Sequence, residues 1–280
     1  MIKNMICPFY GSKWRIAKWI ETHFPSHTTF CDVFGGSGVM TLRKKKSPVE
    51  VYNDISFKMF NLIRNIKENH EEMLGYLSKL NYSKEIYLEH FGATPTNQQV
   101  PDYVLQYANK IMLVASWSYG SQGAHRKYPD FQQDFEYRSS LKVWKNRLVD
   151  LPNKAKRLKD VILENMDFEE IIKKYDNPMT LFFCDPPYLG SEDGYSKRKD
   201  NVFNERNHRK LTECLHSIKG MALICGYHSP LYAKMYRDWR FVTKANKALQ
   251  NKSSIEYLWI SPKADLDFRL KTLKGNSIGN

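Results

Sequence analysis

The chain has 280 residues, of which 42% are hydrophobic and 26% are charged. This composition is typical of globular proteins and excludes disordered and fibrous classes. No stretch approaches the roughly 18 uninterrupted apolar residues that span a bilayer, and the N-terminal segment lacks the apolar block and cleavage site of a secretory signal. We therefore expect a soluble, cytoplasmic protein with one large domain or two modest ones.

Positive charge exceeds negative charge, with 43 lysines and arginines against 30 acids and a formal net charge of +13. Such a surplus favours a polyanionic partner, because each neutralised phosphate releases condensed counterions. A protein that is merely basic is the alternative. The five cysteines form no C-x-x-C pair, which favours reduced core thiols over a disulfide framework or a zinc site. We expect no metal.

Short apolar, β-rich runs alternate along the chain with amphipathic, helix-length segments. The runs lie at residues 29–34, 49–53, 161–164, 180–184, 221–225, 240–244 and 255–260. The helical segments include residues 13–23, 55–67, 168–175 and 208–218. Strands separated by helices imply right-handed crossovers and a mostly parallel sheet covered on both faces. The pattern predicts an α/β fold with a doubly wound, Rossmann-like sheet of seven strands, followed after residue 262 by a frayed polar tail.

Residues 57–159 interrupt this alternation, because they contain helical patterning and polar loops but no convincing buried strand. Helices are predicted at residues 103–115 and 139–149, on either side of an exposed loop at 116–131. We therefore expect a mainly helical insertion in a core built from residues 1–56 and 160–280. A basic stretch near the end of the insertion suits phosphate contacts, with a solvated helix face as the alternative. It comprises Lys142, Lys145, Arg147, Lys154, Lys156, Arg157 and Lys159.

The strongest functional signal is Asp185-Pro186-Pro187-Tyr188, which directly follows an apolar run. Ligands of open α/β sheets bind at the carboxyl ends of the strands, and two prolines end strand pairing in a rigid turn. The turn would hold one carboxylate, one carbonyl and one aromatic face around a small planar target. A purely structural turn with a capping aspartate is the alternative.

Two further strand ends carry candidate ligand groups. The first run ends in Phe34 and leads into a loop with Gly35, Gly36 and Gly38. Glycines let backbone amides approach a ligand at a helix N-terminus, although this spacing matches neither a dinucleotide fingerprint nor a P-loop. Asp54 follows the second run, where a carboxylate can accept hydrogen bonds from both ribose hydroxyls. Capping of the next helix is the alternative.

These segments, together with residues 7–14, resemble the Dam-like family of N6-adenine DNA methyltransferases, including phage and prophage members. The similarity extends to residues 17–25, 49–54, 226–232 and 256–260 and keeps the family's motif order. It implies a methyltransferase sheet with a target-recognition insertion at residues 57–159. The implied reaction transfers a methyl group from S-adenosyl-L-methionine to N6 of an adenine flipped out of double-stranded DNA. We expect a site-specific enzyme of a phage, prophage or bacterial restriction-modification system, acting as a monomer or weak dimer.

The resemblance also assigns roles by position. The residues implied to bind S-adenosyl-L-methionine are Phe9, Lys13, Phe34, Gly35, Gly36, Gly38, Asp54, Asp167, Phe168 and Asp185. Within this set, Asp54 would hold the ribose, and Asp167 with Phe168 would contact the adenine of the cofactor. Asp185 and the Pro186 carbonyl would hold the amino group of the target adenine. Pro187 completes the turn, and Tyr188 would stack on the target ring.

The chemistry of the amino group agrees with this assignment. The exocyclic nitrogen of adenine is a poor nucleophile, because its lone pair is delocalised into the ring. Two acceptors on its hydrogens localise that lone pair towards an electrophilic methyl group, in a pocket that needs no covalent intermediate. The base must leave the duplex to reach such a pocket. A carbon-5 cytosine methylase would need a thiolate, usually in Pro-Cys, and this chain has only Cys7-Pro8 in the reverse order.

The insertion carries the candidates for DNA recognition. Arg126 and Lys127 suit base contacts in the major groove, with phosphate contacts or a solvated turn as the alternatives. Trp117 and Tyr119 could wedge into the duplex or pack in a core. Three other functions stay open at this point: an RNA adenine N6-methyltransferase, a cytosine N4-methyltransferase, and a noncatalytic DNA-binding protein on the same fold. The long insertion favours duplex DNA.

Overall fold

The computed structural model describes residues 2–7, 11–79, 145–188, 203–247 and 253–276. The chain divides into two units. The sheet unit comprises Arg15–Gly35, Arg43–Ile55 and Val161–Asn280, and the helical unit comprises Met1–Trp14, Gly36–Leu42 and Ser56–Asp160. No helix within the described ranges is long and apolar enough to cross a bilayer.

All seven predicted strands are present, and they form one sheet. They are β1 (Thr29–Asp32), β2 (Val49–Asn53), β3 (Ile162–Glu164), β4 (Thr180–Cys184), β5 (Met221–Gly226), β6 (Arg240–Lys247) and β7 (Ser253–Ile260). Their spatial order is β3-β2-β1-β4-β5-β7-β6. β7 runs antiparallel to both of its neighbours, and the other pairs are parallel. The structure therefore confirms the doubly wound, mostly parallel α/β fold.

Helices occupy the segments between the strands. The α-helices bounded within the described ranges are α1 (Ala17–Glu21), α2 (Val39–Arg43), α3 (Phe57–Glu68), α4 (His70–Lys79), α5 (Leu151–Leu158), α6 (Phe168–Tyr175), α7 (Glu205–Ser217), α8 (Pro230–Met235) and α9 (Pro262–Asn276). Residues 145–149, at the start of a described range, are also helical. Every residue of β4 and β5 is buried, because helices cover both faces of a parallel sheet. α6, α7 and α8 contribute Phe168, Leu211 and Tyr232 to a buried cluster with residues of the central strands.

The prediction of a frayed tail after residue 262 is wrong, because α9 occupies this part of the chain. Pro262 stands at the first helical position, where a missing N–H costs nothing, and the Ser261 hydroxyl accepts a hydrogen bond from the Ala264 N–H at 3.4 Å. Ala264 is fully buried, and the Lys263 Nζ donates to the Ile218 carbonyl at 2.9 Å. The helix lacks an amphipathic pattern, so periodicity alone did not reveal it.

The helical unit contains α3, α4 and α5, which pack against one another. Their apolar sides are buried, with Leu62 on α3, Met73 on α4 and Leu158 on α5. This spacing of apolar residues at one face is what an amphipathic helix needs to form a core with its neighbours.

Two members of the predicted basic stretch have a structural role, so the phosphate interpretation is wrong for them. Arg147 and Lys154 are buried. The Arg147 Nη1 donates to the carbonyls of Met5 and Ile6 at 3.0 and 3.2 Å, and the Lys154 Nζ lies 3.6 Å from the Asp150 carboxylate. Arg147 therefore binds the backbone of the N-terminal segment, and Lys154 pairs with Asp150. Both cations have partners, as buried charges need, because an unpaired charge inside a protein is costly.

Asp150 completes this arrangement within the helical unit. Its Oδ2 accepts hydrogen bonds from the backbone N–H groups of Lys3 and Asn4, at 3.1 and 3.0 Å. The N-terminal segment is thus tied to the region that leads into α5, although the partners are more than 140 residues apart in the chain.

Candidate active site

The Asp185–Tyr188 turn follows β4 at the carboxyl edge of the sheet, as predicted. β4 lies between β1 and β5 in the strand order. Pro186 is buried, whereas Asp185, Pro187 and Tyr188 are half-buried. Two consecutive prolines fix φ and remove two N–H donors, so the backbone leaves the sheet here in a rigid turn. The carboxylate of Asp185 is thereby held at the edge where α/β folds bind ligands.

Tyr188 is held from two sides. Its hydroxyl donates a hydrogen bond to Oε1 of Glu256 on β7. Its ring meets that of Tyr227 edge-on, with centroids 4.6 Å apart. Burial, followed by the negative charge of Asp185, raises the pKa of Tyr188 well above its usual value, so the hydroxyl keeps its proton and acts as the donor. Sequence reasoning missed Glu256, because 68 residues separate it from Tyr188.

His208, on α7, lies next to the same turn and was also missed. Its ring is fully buried, with Nδ1 3.0 Å from the Tyr232 hydroxyl and a ring centroid 4.7 Å from that of Phe203. Burial lowers the pKa of His208 to about 4, although the Pro187 backbone and the Glu205 charge act in the opposite direction. His208 is therefore uncharged at neutral pH.

Local packing and backbone conformation explain why glycine stands at three positions of the loop after β1. A Cβ on Gly35 would lie 2.2 Å from the ring of Tyr52, and the Gly35 N–H donates to the Asn53 carbonyl at 2.7 Å. Gly36 and Gly38 have φ angles of 50° and 68°, in the left-handed region that favours glycine. Close packing and backbone conformation therefore account for this glycine pattern without reference to a ligand.

Asp54 stands at the end of β2 and is 9% exposed. Its N–H donates to the Glu164 carbonyl at 3.4 Å, and its carbonyl accepts from Asn165 Nδ2 at 2.6 Å. The backbone on both sides of the Asp54 side chain is thus fixed by the last residue of β3 and the residue that follows it. The ribose-binding role of this carboxylate stays a prediction.

Asn53 is a further residue that sequence reasoning missed. Its Nδ2 donates to the carbonyls of Val33 and Met166, at 2.9 and 3.1 Å, and its Oδ1 accepts from the Met166 N–H at 2.9 Å. The side chain therefore ties together the loops that follow β1 and β3, one on each side of β2. The signal in the sequence is weak, because Asn53 is a polar residue at the end of a strand that also contains the charged Glu50.

Asp167 and Phe168 begin α6. The Asp167 Oδ1 accepts a hydrogen bond from the Glu169 N–H at 2.9 Å and caps the helix. The Phe168 ring is buried and stacks on Phe34 with centroids 6.0 Å apart, and Phe203 meets both rings edge-on. Phe34 and Phe168 thus form part of one aromatic cluster at the ends of β1 and β3.

The other predicted cofactor residues belong to the helical unit. Lys13 is 4% exposed, and its Nζ donates to the Gly11 carbonyl at 2.7 Å. Phe9 lies outside the described residues, as do Trp117, Tyr119, Arg126 and Lys127.

The sheet unit therefore gathers Phe34, Gly35, Asp54, Asp167 and Phe168 at the carboxyl ends of β1, β2 and β3, with the Asp185–Tyr188 turn following the adjacent β4. Thiolate chemistry is disfavoured at this edge, because burial raises the pKa of the neighbouring Cys184 thiol well above its usual value. A carboxylate and a backbone carbonyl in a rigid turn can accept the hydrogens of an amino group, and an aromatic ring beside them offers a face for stacking. This arrangement suits transfer to an amine without a protein nucleophile.

Comparison with known proteins agrees with this geometry. The family of D12 class N6 adenine-specific DNA methyltransferases matches residues 9–255. The chain is also 20% identical over 237 residues to the Type II methyltransferase M1.LlaDCHI of Lactococcus lactis subsp. cremoris. That similarity covers 82% of this chain and 83% of the relative.

Proposed function

The chain belongs to the D12 class N6 adenine-specific DNA methyltransferases, and from this premise we propose that it methylates a flipped-out adenine within a specific sequence of double-stranded DNA, with S-adenosyl-L-methionine as the methyl donor. The observation that carries the proposal is the position of the Asp185–Tyr188 turn. The turn follows β4. The strand next to β4 is β1, which leads to Phe34, and the strand after β1 is β2, which leads to Asp54. In this proposal, the acceptors for the amino group and the carboxylate for the ribose share one edge of the sheet.

The residues at this edge fit S-adenosyl-L-methionine. Asp54 has a fixed backbone and a carboxylate that suits the two ribose hydroxyls, and Asp167 and Phe168 would border the adenine of the cofactor. Phe34 and Gly35 would line the methionine part. The family resemblance also assigns Gly36, Gly38, Phe9 and Lys13 to the cofactor. When bound, this cofactor supplies an electrophilic methyl group on a sulfonium sulfur.

Asp185 has the central role in the proposed mechanism. Its carboxylate and the Pro186 carbonyl accept hydrogen bonds from the two N6 hydrogens of the target, which localises the nitrogen lone pair. As the new N–C bond forms, positive charge develops on N6, and the fixed carboxylate stabilises it. Asp185 then takes one N6 proton and passes it to water. Pro187 keeps the turn rigid, and Tyr188 supplies the face on which the extruded base stacks.

Recognition of DNA is assigned to the insertion at residues 57–159. The net charge of +13 favours a phosphate-rich partner, and Arg126 with Lys127 would contact base edges while Trp117 and Tyr119 support the opened duplex. Arg126→Ala should broaden the set of methylated sequences more than it weakens nonspecific binding. An equal loss of binding on all duplexes would make Arg126 a phosphate contact.

The decisive experiment is expression of the chain in a host without DNA methylation, followed by mapping of N6-methyladenine across the genome. The wild-type protein should modify adenines in one short sequence. In a competition assay, the purified protein should methylate a DNA duplex with this sequence in preference to an RNA oligonucleotide of the same sequence. Asp185→Ala should abolish modification and keep the wild-type circular dichroism spectrum. Asp238→Ala, which removes an exposed carboxylate, should modify DNA normally. Normal turnover by Asp185→Ala would overturn the assignment.

A further inference from the structure

Glu256 makes a contact with the candidate active site that the mechanism above does not use. Its side chain, on β7, is 4% exposed and accepts the hydrogen bond of the Tyr188 hydroxyl. Tyr227 meets the same ring edge-on, at an interplanar angle of 78°. The Tyr188 ring is therefore restrained at its hydroxyl by a buried acid and on its side by a second aromatic ring.

Burial of the Glu256 carboxylate is energetically unfavourable in itself. An acid removed from water is unfavourable unless hydrogen bonds compensate it, and a glutamine of the same shape could also accept a hydroxyl hydrogen. A carboxylate, however, holds that hydrogen more strongly, because a bond to an ionised acceptor is shorter and stronger than a neutral one. The contact thus fixes the hydroxyl end of Tyr188 more firmly than a neutral residue would.

We propose that Glu256 is a positioning residue, which sets the plane of the Tyr188 ring before the target base arrives. The inference rests on the proposed function, in which this ring stacks on the flipped adenine. A ring that is already oriented does not have to be ordered when the base enters, so the base meets a prepared face and its amino group is presented to Asp185. Loss of Glu256 should therefore impair methyl transfer more than binding of the cofactor.

Three variants test this role: Glu256→Gln, Tyr188→Phe and the double variant. Glu256→Gln keeps the size of the side chain and weakens the hydrogen bond, whereas Tyr188→Phe keeps the ring and deletes the hydroxyl. Each single change should lower kcat by about tenfold and leave the KM for S-adenosyl-L-methionine within about twofold of wild type. Because both changes act on the same contact, and Tyr188→Phe already abolishes it, the double variant should be no slower than the slower single variant.

A matched control is available one residue along β7. Tyr257→Phe deletes a hydroxyl from the position next to Glu256, where the side chain points to the opposite face of the sheet, and it should keep the wild-type kcat. Wild-type kcat in Glu256→Gln or Tyr188→Phe would overturn the proposal, as would effects of the two changes that multiply in the double variant. If Glu256→Gln fails to fold, the kcat of Tyr188→Phe alone still tests the proposal, because this variant keeps the ring and loses only the hydroxyl.

The outcome is separable from that of the proposed function. If the wild-type protein methylates adenine and Asp185→Ala does not, the function stands, and the kcat values of the Glu256 and Tyr188 variants judge only the positioning role. If the wild-type protein modifies no adenine, the function fails first. A tyrosine oriented by Glu256 would then lack its proposed ligand, and the inference falls with it.

Discussion

Acidification provides a quantitative test of the burial of His208 in the sheet unit. Burial lowers the pKa of this fully enclosed ring from its ordinary value of 6.5 to about 4, with Pro187 and Glu205 only partly opposing the effect. Below its ordinary pKa, the unfolded chain binds a proton that the folded protein does not. The contribution of His208 to the free energy of unfolding is therefore fully present above about pH 6.5 and is lost as the pH falls towards 4.

The size of the effect follows from the two pKa values of His208. Each pH unit between them is worth about 1.4 kcal/mol, so His208 should cost the folded state about 3 kcal/mol between about pH 7 and pH 4. This is a large share of the roughly 5–15 kcal/mol by which a domain is stable. Urea titrations at several pH values, followed by fluorescence of the buried Trp239 and Trp259, measure it directly.

His208→Gln should remove this part of the pH dependence, whatever the variant costs in stability at neutral pH. The control is His216→Gln, on the same helix but exposed, which leaves His208 in place and should keep the wild-type loss of stability. If wild-type protein and His208→Gln lose the same free energy of unfolding between about pH 7 and pH 4, the argument from burial is refuted.

Two further predictions concern burial inside each unit, first the sheet unit and then the helical unit. Gly35→Ala should destabilise the protein by about 2–3 kcal/mol, because the added Cβ would lie 2.2 Å from the buried Tyr52 ring. Gly75→Ala, at a helical position where the Cβ meets no described atom within 4 Å, should instead stabilise it by up to about 1 kcal/mol; similar effects of the two in urea titrations would contradict this. Burial lowers the pKa of Lys154 to about 8, so the wild-type free energy of unfolding should rise by about 2 kcal/mol between about pH 8 and pH 10. Lys154→Met should lose this rise and the exposed Lys156→Met should keep it, and a wild-type rise in Lys154→Met would count against burial of the charge.

Much of the fold and of the candidate site is readable from local sequence. The seven apolar runs predict the seven strands, because a central strand buried on both faces needs a continuous apolar segment. Asp185-Pro186-Pro187-Tyr188 is recognisable for a similar reason, since its carboxylate, its two fixed φ angles and its ring are neighbours in the chain. The resemblance carried by this motif led to the Dam-like family of N6-adenine DNA methyltransferases, and the match to the D12 class N6 adenine-specific DNA methyltransferases confirms it.

Only the tertiary structure decides which polar groups are buried and what they bind. Arg147 and Lys154 look like members of a solvated basic stretch, yet they are enclosed with an N-terminal segment that is far away in sequence. Glu256 and His208 meet the Asp185–Tyr188 turn from other parts of the chain. Burial of a charge or an imidazole depends on partners that compensate it, and those partners come together only when distant segments pack. Local propensity and periodicity carry no information about such contacts, so these residues could not have been found before the fold was known.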